Sequence, residues 1–238
     1  AANGITPWTP ETPALYTLRV NVTANGTADT AEQRIGIRTI QVSSKTGLLL
    51  NGQPRTMKGG CIHHDLGILG AADHAAAERR RIRLMKESGF DAIRAAHNPF
   101  GPAFLNACDE LGMLVVEEAF DEWVMGRTSF GLHVTFEQCW EKDLEDIITR
   151  DYNHPCIVMW STGNEVEERD GTADGFAWAK RLADKVRSLD ANRPVSATAC
   201  ALFSEYGNRP AGGTTGNQAL NMRSEEHTSE LQSRGHLV

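Results

Sequence analysis

Two segments near the start of the chain alternate apolar and polar side chains. The first is LYTLRVNVTA (residues 15–24), and the second, after the turn sequence NGTADT, is QRIGIRTIQV (residues 33–42). A period of two residues indicates β-strands, because successive side chains of a strand point to opposite faces. Two or three strands do not form a stable sandwich alone. We therefore expect residues 1–43 to be the last part of an antiparallel β domain whose earlier strands lie outside the chain.

From about residue 44 the pattern changes to short apolar strands that alternate with amphipathic helices. Apolar positions three and four residues apart predict four helices: residues 74–89, residues 102–112, a helix marked by Phe136, Trp140, Leu144 and Ile147, and residues 175–190. The five strands around them are nearly all apolar, as in a parallel sheet covered on both faces. A (β/α)8 barrel and a doubly wound sheet both fit this alternation. No GxGxxG or P-loop sequence supports the nucleotide-binding forms of the second.

Polar residues follow the predicted strands at the point where each strand ends. They are His63, His64 and Asp65 after the first strand, Arg94, His97 and Asn98 after the second, Glu117, Glu118, Asp121 and Glu122 after the third, and Asn164 and Glu165 after the fourth. Barrel enzymes assemble their active sites at the C-terminal ends of their strands. The pattern therefore favours an α/β fold, an incomplete (β/α)8 TIM barrel of about five strands, over residues 44–205.

Charge and composition exclude several classes of function. The 238-residue chain has a net charge of −7 and no basic run of five or more residues, which argues against nucleic acid or an anionic membrane as a partner. No apolar run approaches the roughly 18 residues that cross a bilayer. The 5 cysteines are scattered and form no CxxC pair, so we expect free thiols rather than a disulfide framework.

Glu165 is the candidate catalytic group. It follows an apolar strand that carries Trp160, whose ring could form the wall of a sugar pocket. In a dry pocket the pKa of a carboxyl group rises, and the group can act as a general acid. A glutamate that caps the loop after a strand explains the spacing equally well, so the spacing alone leaves both interpretations open.

The pair His63 and His64 also permits a metal site, with His97 and either Glu118 or Asp121 as further ligands. Adjacent histidines on an extended segment point in opposite directions, so both rarely reach one ion. A metal-dependent hydrolase is therefore the minor alternative.

Four ordered motifs resemble glycoside hydrolase family 2, the family of β-galactosidases, β-glucuronidases and β-mannosidases. YNHPCIVMWSTGNEVEE, which contains Asn164 and Glu165, resembles the acid/base signature of that family. MKGGCIHHDLGILGAA, GFDAIRAAHNPF and LGMLVVEEAFDEW resemble its earlier barrel segments in the same order. PWTPETPALYTLRV resembles the end of the immunoglobulin-like domain that precedes the barrel, so residues 1–43 are expected to be the C-terminal part of that β-sandwich. HHDLG and EEAFDEW most resemble the bacterial β-galactosidase branch.

The resemblance implies a retaining β-glycosidase that hydrolyses terminal β-linked saccharides. Glu165 would be the acid/base, and Asn164 would hold the sugar hydroxyl next to the anomeric carbon. The remaining substrate-binding residues would be His63, Arg94, His97, Asp121 and Trp160.

The resemblance also bears on cofactors. Some members of the family bind magnesium through a glutamate and a histidine after the third strand. Glu122 matches that glutamate, but Val124 stands where the histidine would be, so we expect no cofactor.

A retaining mechanism needs a second carboxylate about 5 Å from the first. The family places this nucleophile at the end of the seventh strand, so we expect the chain to be a fragment without it. Glu205 lies too soon after Glu165 and lacks the family pattern. Residues 206–238 are expected to be a non-native or disordered tail, because residues 223–238 resemble translated sequencing-adapter DNA.

A non-catalytic carbohydrate-binding module remains the second alternative, because it would use the same sugar-binding residues without an acid. The absence of an initial Met suggests the middle of a longer protein, so the sequence gives no localisation. A bacterial parent, cytoplasmic, periplasmic or secreted, and a homo-oligomeric one are both compatible with the resemblance.

Overall fold

The computed structural model describes residues 4–198. It begins with an antiparallel hairpin of β1 (Tyr16–Ala24) and β2 (Thr27–Ile35). Asn25 and Gly26 form the connection, and both have positive φ, as the tight two-residue hairpin turn requires. The predicted second strand at 33–42 is therefore wrong in its bounds. The turn takes only two residues, so the strand begins earlier and ends sooner.

One face of the hairpin is apolar and open. Leu18, Val20 and Val22 are 47%, 47% and 58% exposed. The described residues leave this face uncovered, as expected for strands whose sheet partners are not among them.

A small antiparallel sheet leads into the barrel. It contains β3 (Ile40–Ser43), β4 (Gly47–Leu50) and β5 (Gln53–Pro54) in that order. The hairpin between β4 and β5 turns at Asn51 and Gly52, both of which have positive φ.

Five parallel strands form the main sheet. They are β6 (Gly59–Ile62), β7 (Ala92–Ala95), β8 (Leu114–Glu118), β9 (Ile157–Asn164) and β10 (Val195–Thr198). Each strand pairs with the next one along the chain, so the strand order is β10-β9-β8-β7-β6. A doubly wound sheet reverses its order at a switch point, whereas a barrel does not. This topology is that of a partial barrel.

Four helices connect these strands and cover one face of the sheet. They are α1 (Ala75–Glu87), α2 (Pro102–Leu111), α3 (Phe136–Asp151) and α4 (Gly175–Leu189). Single 3-10 turns lie at Gly67–Leu69, Leu132–Val134, Glu167–Asp170 and Thr172–Asp174. The bounds of α1, α2 and α4 agree with the sequence prediction to within two residues, and α3 contains the predicted stripe from Phe136 to Ile147. Helix α2 stops at Gly112, whose φ of 74° is left-handed and which has no space for a side chain beside Pro10.

The core lies between the helices and the sheet. Its largest fully buried side chains in this layer include Phe104, Phe136, Ile82, Leu144 and Ile148. Within residues 4–198, no helix is both long enough and apolar enough to span a bilayer.

The N-terminal segment is attached to the barrel at the end where the strands begin. The fully buried indole of Trp8 donates a hydrogen bond to the carbonyl of Asp109 at 2.9 Å. The guanidinium of Arg38 donates to the carbonyls of Pro155 and Ile157. Burial, with the charge of Arg193, lowers the pKa of Arg38 to about 9.

Candidate active site

The C-terminal ends of β6–β10 lie at one edge of the sheet, which we call the mouth. Strand β9 ends there at Asn164, and the next residue, Glu165, has a φ of 42°. Left-handed backbone is unfavourable for a residue with a side chain and concentrates at functional sites. Gly163 permits the bend, because a Cβ there would lie 2.8 Å from Val166 and 2.9 Å from Trp123. The chain thus turns sharply at the Asn-Glu pair.

Glu118 is the centre of the polar network inside the mouth. One of its carboxylate oxygens accepts hydrogen bonds from the guanidinium of Arg94 at 2.5 and 3.0 Å and from the hydroxyl of Ser161 at 2.7 Å. The other oxygen lies 2.8 Å from Nδ1 of His97. The Glu118 side chain is fully buried, and the charge of Arg94 is the main compensation for that burial.

Two further hydrogen bonds extend this network to the mouth surface. Arg94 donates to the side-chain oxygen of Asn164 at 2.9 Å, and the Asn164 amide donates to Asp121 at 2.8 Å. Asn164 therefore has a fixed orientation between a cation and a carboxylate. The structure brings four of the predicted site residues, Arg94, His97, Asn164 and Asp121, into one connected group.

The carboxylate of Glu165 is open to solvent, with 51% of its side chain exposed. Its ion-pair partner is Arg127, whose Nη1 lies 3.6 Å from Oε2 of Glu165. Arg127 also pairs with Asp121, so the acid/base candidate joins the same group through a cation.

His63 and His64 diverge, as the sequence predicts. The ring of His63 packs edge-on to that of His97, with 5.0 Å between centroids, and is exposed at the mouth. His64 stacks on Phe100, and its Nε2 lies 3.2 Å from the carbonyl of Asn98. The two rings therefore have different neighbours.

Another set of ligand-type atoms lies close together in the described part of the chain. Asp109, His154 and Cys156 lie next to the starts of β8 and β9, at the end opposite the mouth. The Asp109 carboxylate accepts a hydrogen bond from the Cys156 backbone N–H at 3.0 Å and lies 2.6 Å from Nδ1 of His154. These contacts explain the cluster as a structural connection between α2 and β9.

The position of Trp160 contradicts the prediction that its ring lines a sugar pocket. Its side chain is 3% exposed, and its indole N–H donates to Oδ2 of Asp190 at 2.9 Å, with Arg193 against the ring. These partners follow α4, so Trp160 packs in the layer between sheet and helices rather than at the mouth. Ser161 faces Glu118 instead, because side chains alternate along a strand.

Glu122 does not fit a magnesium site. Its two carboxylate oxygens accept the backbone N–H groups of Arg127 at 3.0 Å and His133 at 3.1 Å, and Nδ1 of His133 lies 3.1 Å away. Burial raises the pKa of Glu122, but these hydrogen bonds outweigh burial and lower it overall. The carboxylate is committed to the loop between β8 and α3.

The sequence reasoning missed two residues of the site. The sequence pattern predicts Glu118 only as a strand-end residue and a possible metal ligand, and it does not predict Arg127 as a site residue. Alternation along β8 could have identified Glu118, since only one of Glu117 and Glu118 can face the mouth. Arg127 lies in an irregular loop, and no periodic pattern indicates where its side chain points.

Comparison with known proteins shows which family the chain resembles. A family model described as glycosyl hydrolases family 2, TIM barrel domain, matches residues 40–209, and a second, glycosyl hydrolases family 2, matches residues 3–38. The chain is 40% identical over 186 residues to the β-galactosidase BoGH2A of Bacteroides ovatus, covering 78% of this chain and 21% of that protein. It is 35% identical to a putative β-glucuronidase of Formosa agariphila, covering 74% and 17%.

Solved structures of the same family superpose on the chain. A family 2 glycosyl hydrolase from Bacteroides cellulosilyticus superposes with a TM-score of 0.79 at 42% identity, covering 82% of this chain and 25% of that one. A β-galacturonidase from Eisenbergiella tayi, bound to galacturonate, gives 0.73 at 32% identity, covering 84% and 35%. The chain spans about a fifth of the length of the curated relatives it matches.

Proposed function

Because the chain belongs to glycosyl hydrolase family 2, we propose that its mouth is the acid/base half of a retaining β-glycosidase site. The observation that carries this proposal is the position of Glu165, a solvent-accessible carboxylate directly after β9 and beside the Arg94–Asn164–Asp121 group. Sites of barrel enzymes lie at this end of the strands.

In this proposal Glu165 acts twice. It first donates a proton to the glycosidic oxygen while a carboxylate nucleophile forms a bond to the anomeric carbon and the leaving group departs as an alcohol. It then takes a proton from water, whose oxygen displaces the nucleophile and releases the sugar with its β configuration retained.

The substrate contacts follow from the network. Asn164 is held by Arg94 and Asp121 and would bind the hydroxyl next to the anomeric carbon, while His97 and His63 would line the sugar pocket. The preferred sugar in this proposal is a β-galactoside, which the name of the Bacteroides ovatus relative supports. The β-glucuronidase and β-galacturonidase names among the relatives give uronides as the comparison substrates.

A retaining mechanism also requires a carboxylate nucleophile. Glu118, the buried carboxylate at the network centre, is bound by Arg94, His97 and Ser161 and is not free to attack a sugar. Glu205 lies outside the described residues. We therefore propose that the 238-residue chain alone hydrolyses no glycoside.

Turnover of nitrophenyl β-glycosides tests both statements. The isolated chain should release no nitrophenol, whereas a complete barrel that carries residues 40–198 should hydrolyse the β-galactoside faster than the β-glucuronide. Glu165→Gln should abolish that activity, and Glu87→Gln, at an exposed glutamate of α1, should not. Full activity in the Glu165→Gln protein would refute the assignment.

A further inference from the structure

Arg127 lies where the loop between β8 and α3 crosses the mouth. Its guanidinium donates to the backbone carbonyl of Asp121 at 3.1 Å, forms an ion pair with the Asp121 carboxylate, and lies 3.6 Å from Oε2 of Glu165. Burial lowers the pKa of Arg127, but the hydrogen bond to Asp121 and the charges of Asp121 and Glu165 raise it overall. Across residues 4–198, Glu165 forms no other ion pair.

The backbone that carries Arg127 is held at two points. The N–H of Arg127 donates to Glu122, and the N–H of Met125 donates to Oε1 of Glu168 at 2.5 Å. Glu168 is fully buried, so this second anchor is inside the protein. A Cβ on Gly131 would lie 1.8 Å from Oε1 of Glu122, which shows how closely the loop wraps this carboxylate. The loop therefore presents Arg127 from a fixed backbone position.

We propose that Arg127 is a positioning residue for the carboxylate of Glu165. The proposal rests on the acid/base role given to Glu165 above. The ion pair with Asp121 holds the guanidinium, and the guanidinium attracts Oε2 of Glu165 at 3.6 Å, which is too long for a hydrogen bond. The carboxylate is thereby oriented while its oxygens remain available to a glycosidic oxygen or to water.

The charge of Arg127 also has a chemical consequence. A cation close to a carboxylate stabilises its ionised form, and a carboxylate must be ionised before it can accept a proton from water. Asp121 shares the guanidinium and offsets part of this effect. The other ionisable groups of the mouth network are Arg94, Glu118 and His97, and Asn164 links Arg94 to Asp121.

The order of the Glu165 side chain in the full 238-residue chain tests this role directly. NMR couplings and relaxation of isotope-labelled glutamate side chains report how far each one is fixed in a single rotamer, with the Glu165 signal assigned from Glu165→Gln. Arg127→Met should lower the order of the Glu165 side chain and increase its rotamer averaging, because the cation that attracts its carboxylate is lost. Arg127→Lys should restore part of that order, because it keeps the charge but not the planar fork.

The matched control is Arg187→Met, which removes an exposed cation of α4 that pairs with Asp184 at 3.5 Å. It should leave the couplings and relaxation of the Glu165 side chain unchanged. If Arg127→Met also leaves them unchanged, the positioning role is refuted. That result would not affect the proposed glycosidase function, because the turnover loss in Glu165→Gln is measured separately.

Discussion

Glu117 and Glu118 are neighbours in β8, yet their carboxyl groups lie on opposite sides of the sheet. Glu118 binds Arg94 and His97 at the mouth, whereas Glu117 accepts the backbone N–H of Phe100 at 2.9 Å in the helix layer. Both are buried, but only Glu118 has a cationic partner in direct contact. Glu118 thus belongs to the candidate site, whereas its neighbour Glu117 has a structural role.

Replacing the centre of the network should cost stability. Glu118→Gln removes the charge that compensates Arg94 and puts an amide among hydrogen-bond donors, so we expect a loss of about 3–5 kcal/mol in the free energy of unfolding. Urea denaturation measures this loss. Glu87→Gln, which breaks only an exposed pair with Arg83, should change little. Equal effects of the two substitutions would contradict the central role of Glu118.

Glu117 should make stability depend on pH. Burial first, and then the charge of Asp151, raise the pKa of Glu117 well above its ordinary value, and its Oε2 has no partner among the described residues. The folded state therefore keeps a proton that the unfolded state releases near pH ~4.3. Stability from this group is complete below that pH and falls as pH rises toward the raised pKa.

Glu117→Gln keeps the acceptor for Phe100 and cannot ionise, so its advantage over the unsubstituted chain should grow with pH. Urea denaturation of both proteins at several pH values between about 4 and 8 gives this difference. Glu87→Gln, at an exposed glutamate, is the control variant for this comparison. A difference that does not change with pH would show that Glu117 does not titrate as its environment implies.

Trp160 should matter for stability and not for sugar binding. Trp160→Phe removes the buried hydrogen bond to Asp190 and leaves that acceptor one partner short, for a loss of about 1.5–3 kcal/mol. Trp178→Phe is the control, because Trp178 is also buried but its contacts are ring contacts with Phe136, Trp140 and Arg181. In the complete barrel, a higher KM for the galactoside with unchanged stability would return Trp160 to the sugar pocket.

The bend at the end of β9 depends on Gly163. Gly163→Ala would place a methyl group against Val166 and the Trp123 ring, and overpacking of this kind costs about 1–3 kcal/mol. Gly60→Ala in β6 is the matched control, since nothing lies within 4 Å of the added atom. Thermal unfolding should separate the two variants. Equal melting temperatures would mean that the strand end has more room than its contacts show.

Much of the barrel could be predicted from the sequence because its signals are periodic. The apolar stripe of α4 and the polar ends of the strands identify the elements and the mouth. The face of the sheet on which the Trp160 side chain lies could not be derived in this way. Ser161 and Asn164, three residues apart, both face the network, so the two-residue alternation is broken near Gly163. Strict alternation from Asn164 would place Trp160 on the network side of the sheet, but its side chain lies on the opposite side.

The N-terminal strands show a second limit of pattern reasoning. NGTADT reads as a six-residue turn by composition, but Asn25 and Gly26 alone make the turn, and the polar residues from Thr27 onward pair with β1. An exposed strand need not be apolar, so its start cannot be found from hydrophobic periodicity.

The role of Glu165 is tested most directly by chemical rescue in a complete barrel that carries residues 40–198. Glu165→Ala should lower turnover of a nitrophenyl β-galactoside by roughly 10²–10⁴-fold, whereas a dinitrophenyl galactoside, whose leaving group needs no proton, should still give a burst. Azide is a nucleophile that needs no general base. It should restore turnover of the dinitrophenyl galactoside by the Glu165→Ala protein and yield a glycosyl azide of retained β configuration. Unchanged turnover of the Glu165→Ala protein without azide, matching Glu87→Ala, would contradict the account.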